Sequence, residues 1–206
     1  MGSWLAIGMP RLAKKDCQSG KTIRLVVKRS LASSKILIQI NKMGKRTSYK
    51  KIERDFYPTP YEAVVPLFPH LPNNVQYEEP CCGNDDLIEH LKTHDCVCVK
   101  KGDISQGKDA LLITKTNAEF FITNPPWSWQ ILNPLISQLS NITQTWLLLN
   151  ADLMHNKRMS EHMKRCVKIV SVGRISWMQN KQSGFENCAW FLFDQRNKKK
   201  TIFVGR

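Results

Sequence analysis

The chain has 206 residues, of which 42% are hydrophobic, and a formal net charge of +14 at neutral pH. This length suits one domain, or one domain with an extension, and the apolar content is enough for a sizeable core. The positive charge favours a polyanionic partner, most simply nucleic acid, and disfavours a generic protein substrate, although a solubilising charge or a basic tail is the alternative explanation.

The seven cysteines are odd in number and show no disulfide framework, which favours a reducing cytosol. His90, His94, Cys96 and Cys98 lie close in sequence, but their spacing fits no common zinc finger, so no metal site is predicted. No apolar run approaches the length of a membrane span. The apolar start of the chain, residues 1–10, lacks the preceding basic stretch of a secretion signal.

Residues 1–50 form a distinct segment that is rich in lysine and arginine and contains a single acid, Asp16. Within the segment, Ile23–Val27 and Ile36–Ile40 have the composition of short strands. We expect either a partly disordered basic arm that binds nucleic-acid phosphate or a small solvated addition to the sheet. Residues 51–206 are then predicted to form the main domain.

The main domain is predicted to begin with a helix near residue 60. Thr59-Pro60-Tyr61-Glu62 has the form of a capping box with proline at the first helical position. We expect the helix to continue to about Leu67 and to be disturbed at Pro66. Phe56 and Tyr57 precede the helix start and would be exposed to any ligand bound there.

A turn with small residues follows the first predicted strand, Val75–Glu79. The turn contains Gly83 and leads into a short helix that starts near Leu87. A strand, a glycine turn and a helix bring the backbone close to a ligand. Asp85 and Asp86 would repel phosphate, which argues against a dinucleotide as that ligand.

Two further strands are also followed by polar side chains. The strand Cys96–Val99 leads to Asp103, whose carboxylate could accept hydrogen bonds from both hydroxyls of a ribose. The strand Phe120–Thr123 leads to Asn124-Pro125-Pro126-Trp127. Proline offers no N–H to a sheet, so the chain must leave at a rigid corner. The amide before this corner and the indole after it could hold a planar heterocycle that carries an amino group.

The remaining pattern continues the alternation of helices and strands. Helices are predicted around residues 131–139 and 152–165, and strands at 145–149, 169–172, 176–178 and 188–193. This order predicts a doubly wound, mostly parallel α/β sheet with one antiparallel strand. Ligands bind such sheets at the carboxyl ends of the strands, where the turn at 80–86, Asp103 and Asn124 all fall.

Residues 52–194 resemble the S-adenosylmethionine-dependent DNA adenine-N6 methyltransferases, in particular small phage-type members with a gamma-like motif order. The resemblance implies a Rossmann-like, seven-stranded methyltransferase sheet and S-adenosylmethionine as cofactor. The cofactor-binding residues that it implies are Phe56, Tyr57, Pro58 and Thr59 around the methionine part, Glu79, Pro80, Cys81 and Gly83 in the first turn, Asp103 at the ribose and Asp109 at the adenine amino group. The catalytic residues that it implies are Asn124, Pro125, Pro126 and Trp127.

The function implied by this resemblance is site-specific transfer of a methyl group to N6 of adenine in DNA, on a flipped or single-stranded base. Asn124 and the Pro125 carbonyl would accept the amine hydrogens, and Trp127 would stack on the base. RNA adenine, cytosine N4 and protein glutamine remain alternative substrates, and a catalytically inactive nucleic-acid-binding relative remains an alternative function. We expect a monomer without membrane contact in the cytoplasm, which is the bacterial host's if a phage encodes the protein.

The sequence departs from the family pattern at two points. Asp85 occupies the position of the usual second glycine of the cofactor turn, and Asp tolerates left-handed backbone better than most residues do. No large target-recognition domain follows the core, so specificity would come from residues 150–165, residues 179–187 or the basic arm.

Overall fold

The computed structural model describes residues 57–177 and 186–206, so the predictions for residues 1–56 and 178–185 lie outside the described residues. The described chain contains seven strands: β1 (Gln76–Glu79), β2 (Val97–Lys101), β3 (Phe120–Thr123), β4 (Gln144–Asn150), β5 (Cys166–Arg174), β6 (Asn187–Phe193) and β7 (Ile202–Val204). They form one sheet in the order β2-β1-β3-β4-β6-β5-β7.

Strand β6 is antiparallel to both of its neighbours, and the other neighbouring pairs are parallel. The predicted doubly wound, mostly parallel α/β sheet with one antiparallel strand is therefore confirmed. After β1 the chain forms β2 on one side and then crosses to form β3 on the other side of β1. This change of direction opens a crevice between the carboxyl ends of β1 and β3, where sheets of this kind bind ligands.

Helices cover the sheet or connect its strands. The α-helices are α1 (Tyr61–Val64), α2 (Asp86–Lys92), α3 (Trp129–Ile142) and α4 (Ser160–Met163), and the 3₁₀ helices are Val65–His70, Ile104–Gln106, Ala110–Leu112, Ala151–His155 and Lys157–Met159. Helix α3 is the longest because its apolar side chains recur at helical spacing and bury one face, formed by Leu132, Leu135, Ile136 and Leu139. No helix in the described part of the chain is long and apolar enough to span a membrane.

The central strands are buried on both faces, which explains their continuous apolar runs. In β4, Trp146 and Leu148 belong to one core cluster and Leu147 and Leu149 belong to the cluster on the opposite face. The indole N–H of Trp190 donates to the carbonyl of Ala63 at 2.8 Å, which fastens α1 to this sheet.

The capping-box prediction is wrong because both of its side chains bond elsewhere. Helix α1 begins without a side-chain cap, the Thr59 hydroxyl accepts from Asn124, and a Glu62 carboxylate oxygen accepts from the N–H of Ser176. The α-helix ends at Val64, after which the chain continues as a 3₁₀ helix that contains Pro66 and Pro69. These prolines lack the N–H groups that further α-helical turns need.

Two other predictions after β4 are corrected. Residues 152–165 do not form one helix, because Asn150 and Asn156 each accept from a backbone N–H two residues ahead and start separate 3₁₀ turns. The strand predicted at residues 176–178 is wrong for Ser176 and Trp177, which follow the end of β5. The seventh strand is instead β7, whose three residues are too few to give a periodic signal.

Candidate active site

A pocket of about 420 Å³ opens at the carboxyl ends of β1 and β3. Its size lies in the range of small-molecule sites. Four loops meet there, and their lining residues are Tyr57, Pro58, Thr59, Glu79, Cys81, Cys82, Gly83, Asn84, Asp86, Leu87, Asp103, Ile104, Ser105, Asn124 and Pro126. The structure thus brings together most of the residues that the sequence singled out.

Several predicted site residues are not part of this lining. Phe56 lies outside the described residues. Pro80, Pro125 and Trp127 are adjacent in sequence to lining residues but do not line the pocket themselves. Asp109 lines a separate pocket of about 120 Å³, and its Oδ1 accepts from the N–H of Leu111 at 2.9 Å. The structure therefore does not bring Asp109 to the large pocket, and its contact with a ligand stays a prediction.

Asp103 joins two of the loops that form the pocket. Its Oδ2 accepts from the N–H of Gly83 at 3.0 Å, and its Oδ1 accepts from the N–H and the hydroxyl of Ser105 at 2.8 and 2.6 Å. Gly83 has a left-handed φ of 50°, which glycine adopts without steric cost. The carboxylate therefore sets the shape of the turn in addition to lining the pocket.

Glu79 gives the pocket its electrostatic character. Its side chain is buried, and Oε2 accepts no hydrogen bond within the described part of the chain. Burial raises the pKa of Glu79 well above its usual value, and the nearby carboxylates of Asp85, Asp103 and Asp86 raise this pKa further. The described lining has three carboxylate side chains and no lysine or arginine. It therefore favours a cationic ligand and disfavours a phosphate.

Asp85 replaces the expected glycine without entering the pocket. Its backbone is left-handed, with a φ of 71°, and its side chain is absent from the pocket lining. Oδ2 forms an ion pair with Nζ of Lys101 at the end of β2. The turn thus keeps the left-handed backbone conformation that a glycine would adopt at this position. The Asp85 side chain is directed to β2.

Replacing Asp85 by glycine is expected to keep or slightly raise the free energy of unfolding, because glycine adopts the left-handed backbone without steric cost. The Asp85→Ala protein should be less stable than the Asp85→Gly protein by about 1 kcal/mol. Both replacements remove the same partly exposed ion pair with Lys101, so their difference isolates the backbone effect. Urea unfolding measures it, and equal stability of the two proteins would contradict the proposed cost.

Asn124 is held in one orientation at the pocket wall. Its Nδ2 donates to the Thr59 hydroxyl at 3.1 Å and to the Tyr57 carbonyl at 3.4 Å. Because a carbonyl only accepts, this second contact distinguishes the amide nitrogen from the oxygen. Oδ1 accepts no hydrogen bond from any described residue, so this oxygen can accept from a bound ligand.

An aromatic group lies beside this corner. The indole N–H of Trp127 donates to the Leu148 carbonyl at 3.1 Å, and its ring packs against the sheet. Trp177 meets the Trp127 ring edge-on at 5.7 Å and the Tyr57 ring at 6.0 Å. Sequence analysis gave Trp177 no role, because only the sheet order shows that the residues after β5 lie at the same edge as Asn124.

Neither a thiol nucleophile nor a metal centre is apparent in the described residues. Burial raises the pKa of the Cys81 thiol to about 12, so this thiol is protonated at neutral pH and is a poor nucleophile. Within residues 57–177 and 186–206, no group of His, Cys, Asp and Glu side chains is arranged to hold a metal ion. His94 instead stacks on Phe68, with ring centroids 4.5 Å apart.

Comparisons with known proteins give matches for the three-dimensional structure alone. No protein-family model matches the sequence. No curated protein matches it either. Among solved structures, the chain is similar to the type I restriction-modification system methyltransferase subunit from Streptococcus thermophilus, at 8% identity and a TM-score of 0.49. The match covers 72% of this chain and 47% of that one, so the chain spans about half the subunit's length.

Two further solved structures show similarity of the same kind. A protein from Listeria monocytogenes, assigned as a class I S-adenosylmethionine-dependent methyltransferase, matches at 9% identity and a TM-score of 0.48, over 76% of this chain and 67% of that one. A dimethyladenosine transferase from Plasmodium falciparum matches at 11% identity and a TM-score of 0.44, over 68% of this chain and 62% of that one. At such identities the similarity leaves the substrate of this chain open.

Proposed function

We propose that this protein transfers a methyl group from S-adenosylmethionine to the exocyclic N6 amine of adenine in DNA. The observation that carries the proposal is the amide of Asn124, whose nitrogen is bound by residues 57–59 and whose oxygen accepts from no described residue. This amide stands at the wall of an acidic pocket at the carboxyl edge of the sheet. We also propose that residues 1–50 are a basic extension of a methyltransferase domain formed by residues 51–206.

The pocket's residues fit the proposed cofactor. When bound, S-adenosylmethionine supplies a methyl group on a positively charged sulfur, and it also carries an ammonium group and a ribose. Oε2 of Glu79, which accepts from no described residue, could accept from the ammonium group, which would compensate its burial. Asp103 could accept from the ribose hydroxyls, and the carboxylates together favour the positive charge of the cofactor.

The adenine amine is a weak nucleophile because its lone pair is delocalised into the ring. Oδ1 of Asn124 and the Pro125 carbonyl would each accept a hydrogen bond from the amine. These two hydrogen bonds would localise the lone pair toward the methyl group. These acceptors would stabilise the positive charge that the nitrogen gains during transfer, and the methylated nitrogen would then release one proton to solvent. Thr59 and the Tyr57 carbonyl fix the amide, and two consecutive prolines fix the backbone, so little reorientation is needed.

The target base must leave a duplex, or already be single-stranded, to reach Asn124. Tyr57, Trp127 and Trp177 form an aromatic group beside the corner, so a flat base could stack there. Because Trp127 also donates to Leu148 and packs into the core, we assign it mainly to positioning the corner. Trp177 is then the better candidate for contact with the base.

The proposal is tested by incubating the protein with methyl-labelled cofactor and separate pools of DNA, RNA and protein. Label in N6-methyldeoxyadenosine after digestion of the DNA is the expected result. Label in N6-methyladenosine from RNA, in N4-methylcytosine or in glutamine would keep the chemistry and change the substrate. A protein that binds no cofactor in calorimetry would instead be an inactive nucleic-acid-binding relative. The left-handed backbone of Asp85 and the absence of its side chain from the pocket lining argue against that alternative.

Cofactor affinity is expected to rise with pH, because the raised pKa of Glu79 leaves part of this group protonated in the free protein. A bound cation lowers that pKa, so binding releases a proton and strengthens as pH rises toward the raised pKa of Glu79 in the free protein. Calorimetry between about pH 5 and pH 8 measures the trend. Glu79→Gln should flatten it, whereas Glu89→Gln, on the exposed side of α2, should not. A parental affinity independent of pH would contradict the assignment.

A further inference from the structure

Acidic side chains of the carboxyl edge concentrate around the pocket, whereas the other half of the edge has arginines beside the two acids Asp152 and Glu186. At the ends of β1 and β2, around the pocket, four carboxylates gather: Glu79, Asp85, Asp86 and Asp103. The two lysines that end β2 are already engaged, Lys100 with Glu78 at 2.8 Å and Lys101 with Asp85. This half of the edge would repel a phosphate backbone, so a nucleic acid that delivers a base to Asn124 must approach from the other half.

Three exposed arginines occupy that other half, beyond β3. Arg174 ends β5, and Arg206 follows β7, which is parallel to β5, so both lie at the carboxyl edge. Arg158 belongs to the segment that follows the carboxyl end of β4. Within the described part of the chain, none of the three forms an ion pair with a carboxylate.

Two of these guanidinium groups lie against other residues of the chain. The guanidinium carbon of Arg158 lies 4.5 Å from the centre of the Trp129 ring, and Trp129 begins α3 directly after the Asn124 corner. Arg206 lies over Gly173, where a β-carbon would come within 2.6 Å of its Nη1. A glycine at this position therefore makes room for the arginine. Planar guanidinium groups are suited to phosphate, and the stacked guanidinium of Arg158 loses less freedom on binding it.

We propose that Arg158, Arg174 and Arg206 bind the phosphate backbone of the nucleic acid whose base enters the pocket. The proposal rests on the proposed function for the identity of the bound nucleic acid. It adds the position of the nucleic acid on the protein surface. The backbone follows the carboxyl edge over β4, β6, β5 and β7, away from the acidic cofactor half. The sequence could not separate these arginines from the chain's other basic residues, because their common edge appears only in the sheet order.

The test uses the full chain and two variants of equal charge. One variant replaces Arg158, Arg174 and Arg206 by glutamine. The control replaces Lys198, Lys199 and Lys200, exposed residues that precede β7 and so lie at the opposite edge. Binding of a labelled single-stranded DNA is titrated over a range of salt concentrations. Cofactor binding and thermal unfolding of each variant are measured in parallel.

The arginine variant is expected to reduce the slope of log K against log salt by about 2, because each lost phosphate contact removes about 0.7. Its affinity at 0.1 M salt should fall by about 10²-fold. The control at Lys198, Lys199 and Lys200 should keep the parental slope. A further variant with lysine in place of the three arginines should recover most of the parental slope.

The proposal would be overturned if the glutamine replacement of the three arginines and the control at Lys198, Lys199 and Lys200 had equal effects. It would also be overturned if the parental chain bound no DNA. Failure of the proposed function has a different signature. In that case the arginine variant would still lose DNA affinity selectively, while the parental chain would bind no cofactor and methylate none of the three pools. If the parental chain methylates DNA and the arginine variant keeps the parental salt slope, the proposed function is supported. The proposed arginine surface is then wrong.

Discussion

Replacing Asn124 by alanine is expected to slow methyl transfer by about 10²–10³-fold, the size of effect seen when one preorganised hydrogen-bonding group is lost. The reason is that Oδ1 of Asn124 matters most as the target amine gains positive charge. Single-turnover methylation at saturating cofactor measures this loss, and calorimetry reports cofactor binding separately. A parental transfer rate in Asn124→Ala would show that the corner at residues 124–127 is not the catalytic site.

The contacts of Asn124 supply two controls for that experiment. Thr59→Val keeps the amide oxygen but removes the hydroxyl that accepts from Nδ2 at 3.1 Å, so transfer should fall much less than in Asn124→Ala. Asn124→Asp keeps an oxygen but loses the donor to the Tyr57 carbonyl, and it places a negative charge opposite a carbonyl oxygen. If the rate loss of Thr59→Val equalled that of Asn124→Ala, the amide would act by anchoring residues 57–59 rather than by accepting from the amine.

The sequence was sufficient to predict six of the seven described strands, β1 to β6, and the meeting point of the loops that follow β1, β2 and β3. Strand β3 was predicted with its observed limits, because a buried strand reads as an apolar run and two prolines must end it. The rule that loops at the carboxyl ends of parallel strands converge then predicted that the turn at 80–86, Asp103 and Asn124 would lie together, and residues from all three places line the pocket.

The remaining features depend on contacts between residues that are distant in sequence. Thr59 has the form of a helix cap, but its hydroxyl serves Asn124, which becomes adjacent only when the sheet is assembled. The family resemblance assigned Asp109 to the cofactor, yet a local bond to the Leu111 N–H and the path of the loop direct it to another pocket. Trp177 follows β5 and joins the site only because β5 runs parallel to β3. Patterns along the chain carry no information on these partners.

Asp103→Ala is expected to have the opposite effect to Asn124→Ala, weakening the cofactor while sparing the chemistry. Loss of a charged hydrogen-bond acceptor should cost about 1–3 kcal/mol of binding, or about 5- to 150-fold in affinity. At saturating cofactor the single-turnover rate should return close to the parental value, because Asp103 does not contact the target amine. A rate that stays low at saturation would place Asp103 in the transfer step.

The bonds that Asp103 makes within the protein require a control, because the alanine variant also frees the N–H groups of Gly83 and Ser105. Ser105→Ala removes only the hydroxyl that donates to Oδ1 at 2.6 Å and leaves the carboxylate facing the pocket. If Asp103 binds the cofactor directly, Ser105→Ala should weaken binding by only a small part of the loss in Asp103→Ala. If the two variants lose equal affinity, the carboxylate acts by holding the turn and the loop together. The ribose contact would then have to be assigned to another group in the pocket.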